Sequence, residues 1–314
     1  MGSDSLENEW IPDPPLAREI AATAIRSRFP QVDASDVHHL GSGGQYDVYL
    51  TSDGWAFRFP RWNWSGTLFD AEANVHRFVA EQLPSQIRVP RVELLAPPTP
   101  PFPRPFAGHR YIAGTALDVM DEELMPTIQR EIAILLAALH STPAPLVGAA
   151  GIHELEMDSG RREWLEHYST VASQLRGIDP VVDGAIEWVG TQPTAPPPAG
   201  PLQLVHGDLG PEHVLANPAT GFLTGVIDWT DTHLGDAARD FVFLVTWRGW
   251  TFAEEVLRLY SRAVDREFRT RLRFMSQLLS VVWLASAHEH GADLAKHIRA
   301  VHNAFSSHEA SSPR

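Results

Sequence analysis

Polar and apolar residues alternate along much of the first third of the chain, and this pattern predicts β-strands. Two alternating runs, Tyr46–Leu50 and Trp55–Phe59, lie within a strand-rich segment at residues 37–60. The dipeptide Asp53-Gly54 between them is a strong signal for a hairpin turn. A further short strand is predicted near Gly108–Ile112, after a proline-rich loop at residues 96–105. These strands together predict a small antiparallel sheet.

Apolar residues recur at helical spacing through most of the remaining sequence. Helices are predicted over six segments: Leu16–Phe29, Leu68–Leu83, Pro126–His140, Arg161–Leu175, Phe252–Val264 and Thr270–His288. The order of the elements predicts an α+β, bilobal molecule with a small antiparallel-sheet lobe and a larger helical lobe. We place the first lobe at residues 1–109, a hinge at residues 110–114 and the helical lobe at residues 115–314.

A second hairpin is predicted inside the helical lobe. Its strands are the apolar runs Val214–Ala216 and Phe222–Ile227, and the intervening Asn-Pro-Ala-Thr-Gly is a turn signal. Asp208 and His213 lie just before the first strand, and Asp228 lies just after the second. We therefore expect polar side chains that are distant in sequence to face one small volume.

Composition and length exclude several classes of protein. The chain has 314 residues, of which 44% are hydrophobic and 20% charged, as in ordinary globular proteins. No apolar run approaches the roughly 18 residues that a membrane span needs, so no membrane partner is expected. The acidic N-terminus lacks the apolar centre of a signal peptide, and we expect a cytoplasmic protein. Cysteine is absent, which removes disulfides and thiolate metal sites.

The charge of the chain is strongly unbalanced. A net charge of −14 argues against a nucleic-acid partner, whose phosphates need basic patches, and it permits a cationic small-molecule substrate. Arginine supplies nearly all of the positive charge, and Lys296 is the only lysine. This matters because nucleotide-binding kinases usually use a lysine. We expect a monomer.

The segment His206-Gly207-Asp208, with His213 five residues later, follows the pattern H-x-D-x-x-x-x-N with histidine in the asparagine position. Phosphoryl transfer needs a carboxylate near the acceptor hydroxyl, ligands for magnesium and positive charge on the phosphates. Asp208 suits the first role, and Asp228 suits the second as a hard oxygen ligand. His213 offers a coordination position through a neutral ring nitrogen, although imidazole is a softer ligand than Mg²⁺ prefers. Each residue alone is also typical of polar turns, but their combined spacing favours a catalytic site.

Further acidic residues follow the predicted hairpin. Asp231 is a candidate substrate contact, and a solvated loop carboxylate is the equally good alternative. Asp236 and Asp240 flank an Ala-Ala-Arg turn, and we expect them to cap a helix or to brace a loop.

The small lobe contains candidates for nucleotide binding. Ser42, Gly43 and Gly44 lie in a glycine-rich turn whose backbone N–H groups are suited to phosphates, although a flexible hairpin turn explains them too. Strand alternation turns Arg58 away from the aromatic face formed by its neighbours. Glu72 lies on an apolar helix face, where a carboxylate needs a buried partner, and Arg58 is the obvious one.

These motifs resemble, in order and spacing, the aminoglycoside phosphotransferase family and its macrolide phosphotransferase relatives, which share the protein-kinase-like fold. The resemblance rests on HGDLGPEHVL (206–215), GVIDW (225–229), AFRFPR (56–61), the helix of Glu72 and FAGHRYIAG (106–114). It implies ATP or GTP as phosphate donor, Mg²⁺ held by His213 and Asp228, and Asp208 as catalytic base. It also places the nucleotide base at the hinge, around Arg110, Tyr111 and Ile112.

The sequence departs from the family in two places. Arg58 occupies the position of the usual nucleotide lysine, and this exchange is not neutral because a guanidinium is larger and planar. Residues 241–255 contain Trp247, Arg248 and Trp250 where the 2″-aminoglycoside enzymes tend to be acidic. An aromatic, basic stretch fits a larger, less charged substrate somewhat better, unless the tryptophans belong to the core.

The resulting prediction is an antibiotic O-phosphotransferase that transfers the γ-phosphate of a nucleoside triphosphate to a hydroxyl of an aminoglycoside. The candidate substrate residues are Asp231, Trp247 and Glu289. The alternatives are a macrolide 2′-phosphotransferase, a small-metabolite kinase of the same fold, and a binding module that has lost activity through Arg58. Metal-dependent hydrolysis at residues 288–290 is disfavoured because the H-E-x-x-H spacing is missing.

Overall fold

The computed structural model describes residues 15–43, 45–61, 67–154, 159–191 and 194–306; in α-helical residues 67, 68, 70 and 159–165 only the backbone is described. Contacts divide the chain into two compact units. The first comprises Met1–Glu81 and Arg88–Ala113, and the second comprises Gln82–Ile87 and Gly114–Arg314. Gly44, one of the candidate phosphate-loop residues, lies outside the described residues.

The first unit is built on a five-stranded antiparallel sheet with the strand order β1-β2-β3-β5-β4. Its elements are α1 (Arg18–Arg28), β1 (Val37–Ser42), β2 (Tyr46–Thr51), β3 (Trp55–Pro60), α2 (Thr67–Gln82), β4 (Leu94–Ala96) and β5 (Phe106–Arg110). The predicted hairpin at Asp53-Gly54 is confirmed, since β2 and β3 pair across this turn.

Aromatic side chains form the core beneath this sheet. Phe57 and Phe59 are fully buried, and Phe59 stacks on Phe106 with ring centroids 4.7 Å apart. Burial of each such side chain contributes about 1.5–3 kcal/mol of hydrophobic free energy. Gly108 is required on β5, because a Cβ there would lie 2.6 Å from the Phe57 ring. The alternation predicted for β3 is confirmed, and it turns Arg58 to the opposite face.

The second unit is mainly helical. Its helices are α3 (Met125–His140), α4 (Ala144–Ala149), α5 (Ser159–Ser173), α6 (Pro180–Gly190), α7 (Val242–Arg248), α8 (Trp250–Leu259), α9 (Phe268–Glu289) and α10 (Ala295–Phe305). Its strands are β6 (Thr115–Ala116), β7 (Gln203–Val205), β8 (Val214–Ala216), β9 (Leu223–Val226) and β10 (His233–Gly235), and 3₁₀ helices span Leu117–Val119, Glu122–Leu124 and Ala237–Phe241.

Two small sheets carry the loops of the second unit. The predicted hairpin of β8 and β9 is confirmed, and β6 adds a third strand to it. Gly114 permits this arrangement, because a Cβ there would lie 2.4 Å from Thr224 Oγ1 and 2.9 Å from Leu215 Cβ. Strands β7 and β10 form a separate antiparallel pair.

Helices α5, α6, α7 and α10 of the second unit pack against α9. Val281, Leu284 and Ala285 of α9 contact a buried cluster with residues of α5, α6 and α10. Helix α6 begins at Pro180 because the Asp179 carboxylate caps it, accepting hydrogen bonds from two backbone N–H groups. None of the helices in the described part of the chain has the length and apolar character that a membrane crossing requires.

Candidate active site

The loop after β7 contains the His-Gly-Asp motif, and its shape depends on glycine. Gly207 has a φ of 86°, a left-handed conformation that favours glycine. A Cβ at this position would lie 2.1 Å from the backbone oxygen of Asp231. Substitution of Gly207 would therefore force apart two backbone segments, the motif loop and the segment that follows Asp228.

The backbone of this loop is hydrogen-bonded to a buried carboxylate. Asp240 accepts hydrogen bonds from the backbone N–H groups of His206 (2.9 Å) and Gly207 (3.0 Å). His140 of α3 donates to the same carboxylate at 3.2 Å, and its other ring nitrogen lies 2.8 Å from the Tyr260 hydroxyl. Asp240 therefore braces the motif loop, as predicted.

The surroundings keep Asp240 ionised. Burial alone would raise the pKa of this carboxyl, but the hydrogen bond and positive potential of His140, with smaller effects of His206, lower it overall. Burial also raises the pKa of Tyr260, so its hydroxyl stays protonated. The Asp240 carboxylate is thus an anion that accepts hydrogen bonds from a histidine and two backbone amides.

His206 is a structural residue of the loop. Its Nε2–H donates to the Ile227 carbonyl at 3.1 Å, and its Nδ1 accepts from the Asp208 amide at 3.3 Å. Burial lowers the pKa of His206, so the ring is neutral near neutral pH. The ring ties the motif loop to the end of β9.

Asp208 presents its carboxylate to solvent at the end of the motif, with 43% of the side chain exposed. One guanidinium nitrogen of Arg239 lies 3.7 Å from its Oδ1. Arg239 is itself held over the Trp283 ring, 5.8 Å from the centroid. Burial lowers the pKa of Arg239, but the carboxylates of Asp208, Asp240 and Asp231 oppose this effect, and the side chain stays cationic.

Arg239 was not predicted as a site residue. It belongs to the Ala-Ala-Arg turn between two aspartates, and this turn folds as the 3₁₀ helix Ala237–Phe241. The only available signal was its position one residue before Asp240, and that position does not indicate a contact with Asp208.

His213 and Asp228 face each other across the hairpin, with Nε2 and Oδ2 3.8 Å apart. The His213 Nδ1–H donates to the Asp208 backbone oxygen at 2.8 Å, and this bond leaves Nε2 as the ring nitrogen with a lone pair. Asp228 has a φ of 63°, in the left-handed region, which aspartate tolerates better than bulky residues. Thr230 donates to its other carboxylate oxygen at 2.6 Å.

This pair of donors fits a magnesium ion. The described residues contain no group of three His, Asp or Glu side chains poised to hold a metal. Mg²⁺ does not require such a group, because it commonly keeps several waters and binds one or two protein ligands plus substrate phosphates. The Asp228 carboxylate oxygen is the kind of hard ligand that Mg²⁺ prefers, and the oriented imidazole nitrogen of His213 is a softer one beside it.

Asp231 lies beside these carboxylates. The residue is exposed to solvent, yet the surrounding protein raises the pKa of its carboxyl, and the negative charges of Asp208 and Asp228 raise it further. The structure therefore brings Asp208, His213 and Asp228 together, as the hairpin predicted, and Asp231 lies near them.

The sheet unit contains the predicted ion pair. Arg58 on β3 and Glu72 on α2 are both buried, and Nη2 of the guanidinium donates to the Glu72 carboxylate. The second carboxylate oxygen of Glu72 lies 3.5 Å from Nε2 of His76. Burial and the nearby Arg58 charge lower the pKa of His109 to about 4, so that ring is neutral at physiological pH.

The glycine-rich turn begins at the end of β1. The Ser42 hydroxyl donates to the buried Asp47 carboxylate at 2.5 Å, and the Gly43 amide donates to the Tyr46 backbone oxygen at 2.9 Å. Arg61 donates to the Gly43 carbonyl at 2.7 Å. Among the described residues, a Cβ on Gly43 would lie within 4 Å of one atom, the Tyr46 backbone oxygen at 3.9 Å.

The predicted hinge residues begin at Arg110, the last residue of β5. Arg110 stacks over the Trp55 ring at 3.9 Å and donates to the Asp53 carbonyl at 3.1 Å. The Tyr111 amide donates to the Gly54 carbonyl at 3.0 Å, and Ile112 is buried.

The structure places the two other substrate candidates in different surroundings. Trp247 lies on α7, where it stacks with Phe243 and contacts the edge of Phe252, and its backbone oxygen accepts a bond from Asn303. Glu289 ends α9 and pairs with His167 at 2.8 Å. Neither set of contacts includes a residue of the Asp208 cluster.

Comparison with known proteins identifies the family. The sequence model of the phosphotransferase enzyme family matches residues 36–274, and the chain belongs to this family. An uncharacterised relative, YcbJ of Bacillus subtilis (strain 168), is 25% identical over 274 residues, covering 84% of this chain and 87% of the relative.

Solved structures show the same fold at low sequence identity. The GDP and kanamycin complex of APH(2")-IIia has a TM-score of 0.69 at 20% identity and covers 90% of this chain and 97% of that one. A macrolide 2'-phosphotransferase type I has a TM-score of 0.60 at 19% identity and covers 87% and 91%. The predicted kinase-like α+β fold is thereby confirmed, with an antiparallel-sheet unit and a helical unit.

Proposed function

We propose that the protein is an antibiotic O-phosphotransferase that transfers the γ-phosphate of Mg-ATP or Mg-GTP to a hydroxyl of an aminoglycoside. The observation that carries this proposal is the cluster of Asp208, His213 and Asp228 around one hairpin. Such a cluster in a chain of the phosphotransferase enzyme family provides an acceptor-side carboxylate beside two metal ligands.

In the proposed reaction Asp208 accepts a hydrogen bond from the substrate hydroxyl and orients its oxygen. As the new O–P bond forms, the bond from the γ-phosphorus to its bridging oxygen breaks, the nucleoside diphosphate leaves, and the hydroxyl proton passes to Asp208. Arg239 holds the Asp208 carboxylate through Oδ1, which leaves Oδ2 for the hydroxyl. Bound Mg²⁺, on His213 and Asp228, supplies charge neutralisation for the phosphates.

The donor side of the proposal rests on the sheet unit. Arg58 supplies the cation for the phosphates, and Glu72 fixes its direction. We assign the phosphates to the glycine-rich turn at residues 42–44, and the purine to the backbone at Arg110, Tyr111 and Ile112.

The choice of an aminoglycoside rests on charge. Asp231 adds a third carboxylate beside Asp208 and Asp228, a suitable surface for substrate ammonium groups. Arg248, which suggested a basic substrate surface, forms an ion pair with Glu122, so its charge is offset. Trp247 retains some exposed surface and is the observation that favours a macrolide as the second candidate. Glu289 is proposed as a more peripheral substrate contact.

The test is an assay of nucleoside diphosphate release with a panel of aminoglycosides and macrolides, each with ATP and GTP. We expect Asp208→Asn to lower kcat by about 10²- to 10⁴-fold, the usual contribution of a general base, while Mg-nucleotide still binds. Near-normal turnover by this variant would contradict the role of Asp208.

The same panel separates the alternatives. Release with macrolides alone would establish the second candidate. No release with any antibiotic, together with intact nucleotide binding, would favour a metabolite kinase or a binding module.

A further inference from the structure

The guanidinium of Arg58 is enclosed by two aromatic rings. Its central carbon lies 4.2 Å from the centroid of the Tyr46 ring and 5.9 Å from that of the Phe69 ring. The two rings contact each other with centroids 5.9 Å apart. Phe69 is buried and Tyr46 is half-buried. We call these two side chains, with Glu72, the arginine clamp.

The clamp suits a guanidinium better than an ammonium. A guanidinium is planar and weakly hydrated, so its faces stack on aromatic rings while hydrogen bonds form at its edges. The ring contacts and the ion pair with Glu72 therefore do not compete. A lysine ammonium is a compact, strongly hydrated ion, and it would lose hydration in this enclosure without gaining the stacking contact.

Tyr46 also connects the clamp to the glycine-rich turn. Its backbone oxygen accepts the hydrogen bond from the Gly43 amide, which closes the turn, while its ring lies on Arg58. One residue thus sets the position of the cation relative to the proposed phosphate-binding backbone.

We propose that Tyr46 and Phe69 are positioning residues that make arginine, and not the lysine usual in this family, the required phosphate-binding cation of this enzyme. The inference rests on the proposed function, because it assigns the phosphates to Arg58. It predicts that Arg58→Lys, which restores the usual family residue, impairs the enzyme.

The experiment is a double-substitution cycle on the full chain. Affinity for Mg-ATP and Mg-GTP is measured by titration calorimetry for the wild type, Arg58→Lys, Tyr46→Leu and the double variant, and the Tm of each is measured without ligand. We expect Arg58→Lys to weaken nucleotide binding about tenfold and to lower the Tm. In the Tyr46→Leu background the same exchange should have a much smaller effect on both quantities. Tyr46→Phe keeps the ring and should bind nucleotide nearly as the wild type does.

Arg104→Lys is the matched control. Arg104 belongs to the same unit, lies 5.9 Å from the Phe102 ring centroid and takes no part in the proposed site. Its exchange should leave nucleotide affinity unchanged.

Two failures can be told apart. If the wild type binds neither nucleotide, the proposed function fails, and the Tm cycle still tests the clamp. The clamp proposal is overturned if nucleotide binds and Arg58→Lys has the same nucleotide affinity as the wild type. It is also overturned if this exchange lowers the affinity by the same factor with and without the Tyr46 ring.

Discussion

Three carboxylates, Asp208, Asp228 and Asp231, share one small region of the second unit. The protein around Asp231 raises the pKa of its carboxyl, and the negative charges of Asp208 and Asp228 raise it further. A carboxyl whose pKa is higher in the folded chain destabilises the fold while it is ionised.

We therefore predict that Asp231→Asn raises the Tm of the ligand-free protein near pH 7. The gain should shrink as the pH falls, because protonation also relieves the wild type, and it should vanish below about pH 4, the ordinary pKa of aspartate. Thermal denaturation across this pH range measures the effect. Glu123→Gln, which removes one exposed negative charge from the same unit, is the control. A gain that does not depend on pH would refute the explanation.

Two ion pairs differ in how far the sequence predicts them. The Arg58–Glu72 pair was predictable because strand and helix periodicity each place one charge where it needs a buried partner. The pairing of Arg239 with Asp208 was not, because it depends on how the 3₁₀ helix at 237–241 packs, and local periodicity carries no information about that packing.

At the scale of elements, the motif loop is held by a network from three segments that are far apart in sequence. Asp240 of the 3₁₀ helix bonds the loop, His140 of α3 bonds Asp240, and Tyr260 after α8 contacts His140. Buried networks of this kind are costly to break, because a partner left behind has no water to replace the lost bond.

Tyr260→Phe removes one hydroxyl from this hydrogen-bond network and changes the shape of the side chain little. We expect the free energy of unfolding to fall by about 1–3 kcal/mol, the cost of an unsatisfied buried polar group. We also expect kcat to fall more than the nucleotide affinity, since the loop that positions Asp208 loosens. Tyr168→Phe, at a long 3.5 Å contact with Ser286, is the matched control. Unchanged unfolding energy and unchanged kcat would contradict the brace.

Elements with strong local signals were predicted well. The hairpin of β8 and β9 followed from its turn sequence, and the helix predicted at Pro126–His140 lies at Met125–His140.

The prediction of a helix to Val264 was wrong, because α8 ends at Leu259 and Tyr260 adopts an extended conformation. Four helices and the short strands were not predicted, namely α4, α6, α7 and α10 with β4, β6, β7 and β10. The short strands have only two or three residues, too few to show a period, and they form through tertiary pairing.

At the scale of the whole molecule, a net charge of −14 bears on substrate choice. A polycationic aminoglycoside would be drawn to such a surface, and salt would screen the attraction. A macrolide with one amine would be affected much less.

We predict that kcat/KM for an aminoglycoside falls at least about threefold between roughly 50 and 500 mM KCl, while kcat changes little. The same titration with a macrolide should be nearly flat. Equal salt dependence for both classes would show that net charge does not select the substrate.

The arginine clamp has a consequence for chemical labelling. An acylating nucleotide probe reacts with an amine beside the phosphates, and in the proposed site that position holds the Arg58 guanidinium. Lys296, the only lysine of the sequence, lies on α10 of the helical unit. Such a probe would meet no amine at the proposed site, and the burial of the Arg58 guanidinium between two rings and Glu72 would also protect it from dicarbonyl reagents, which condense with exposed guanidines.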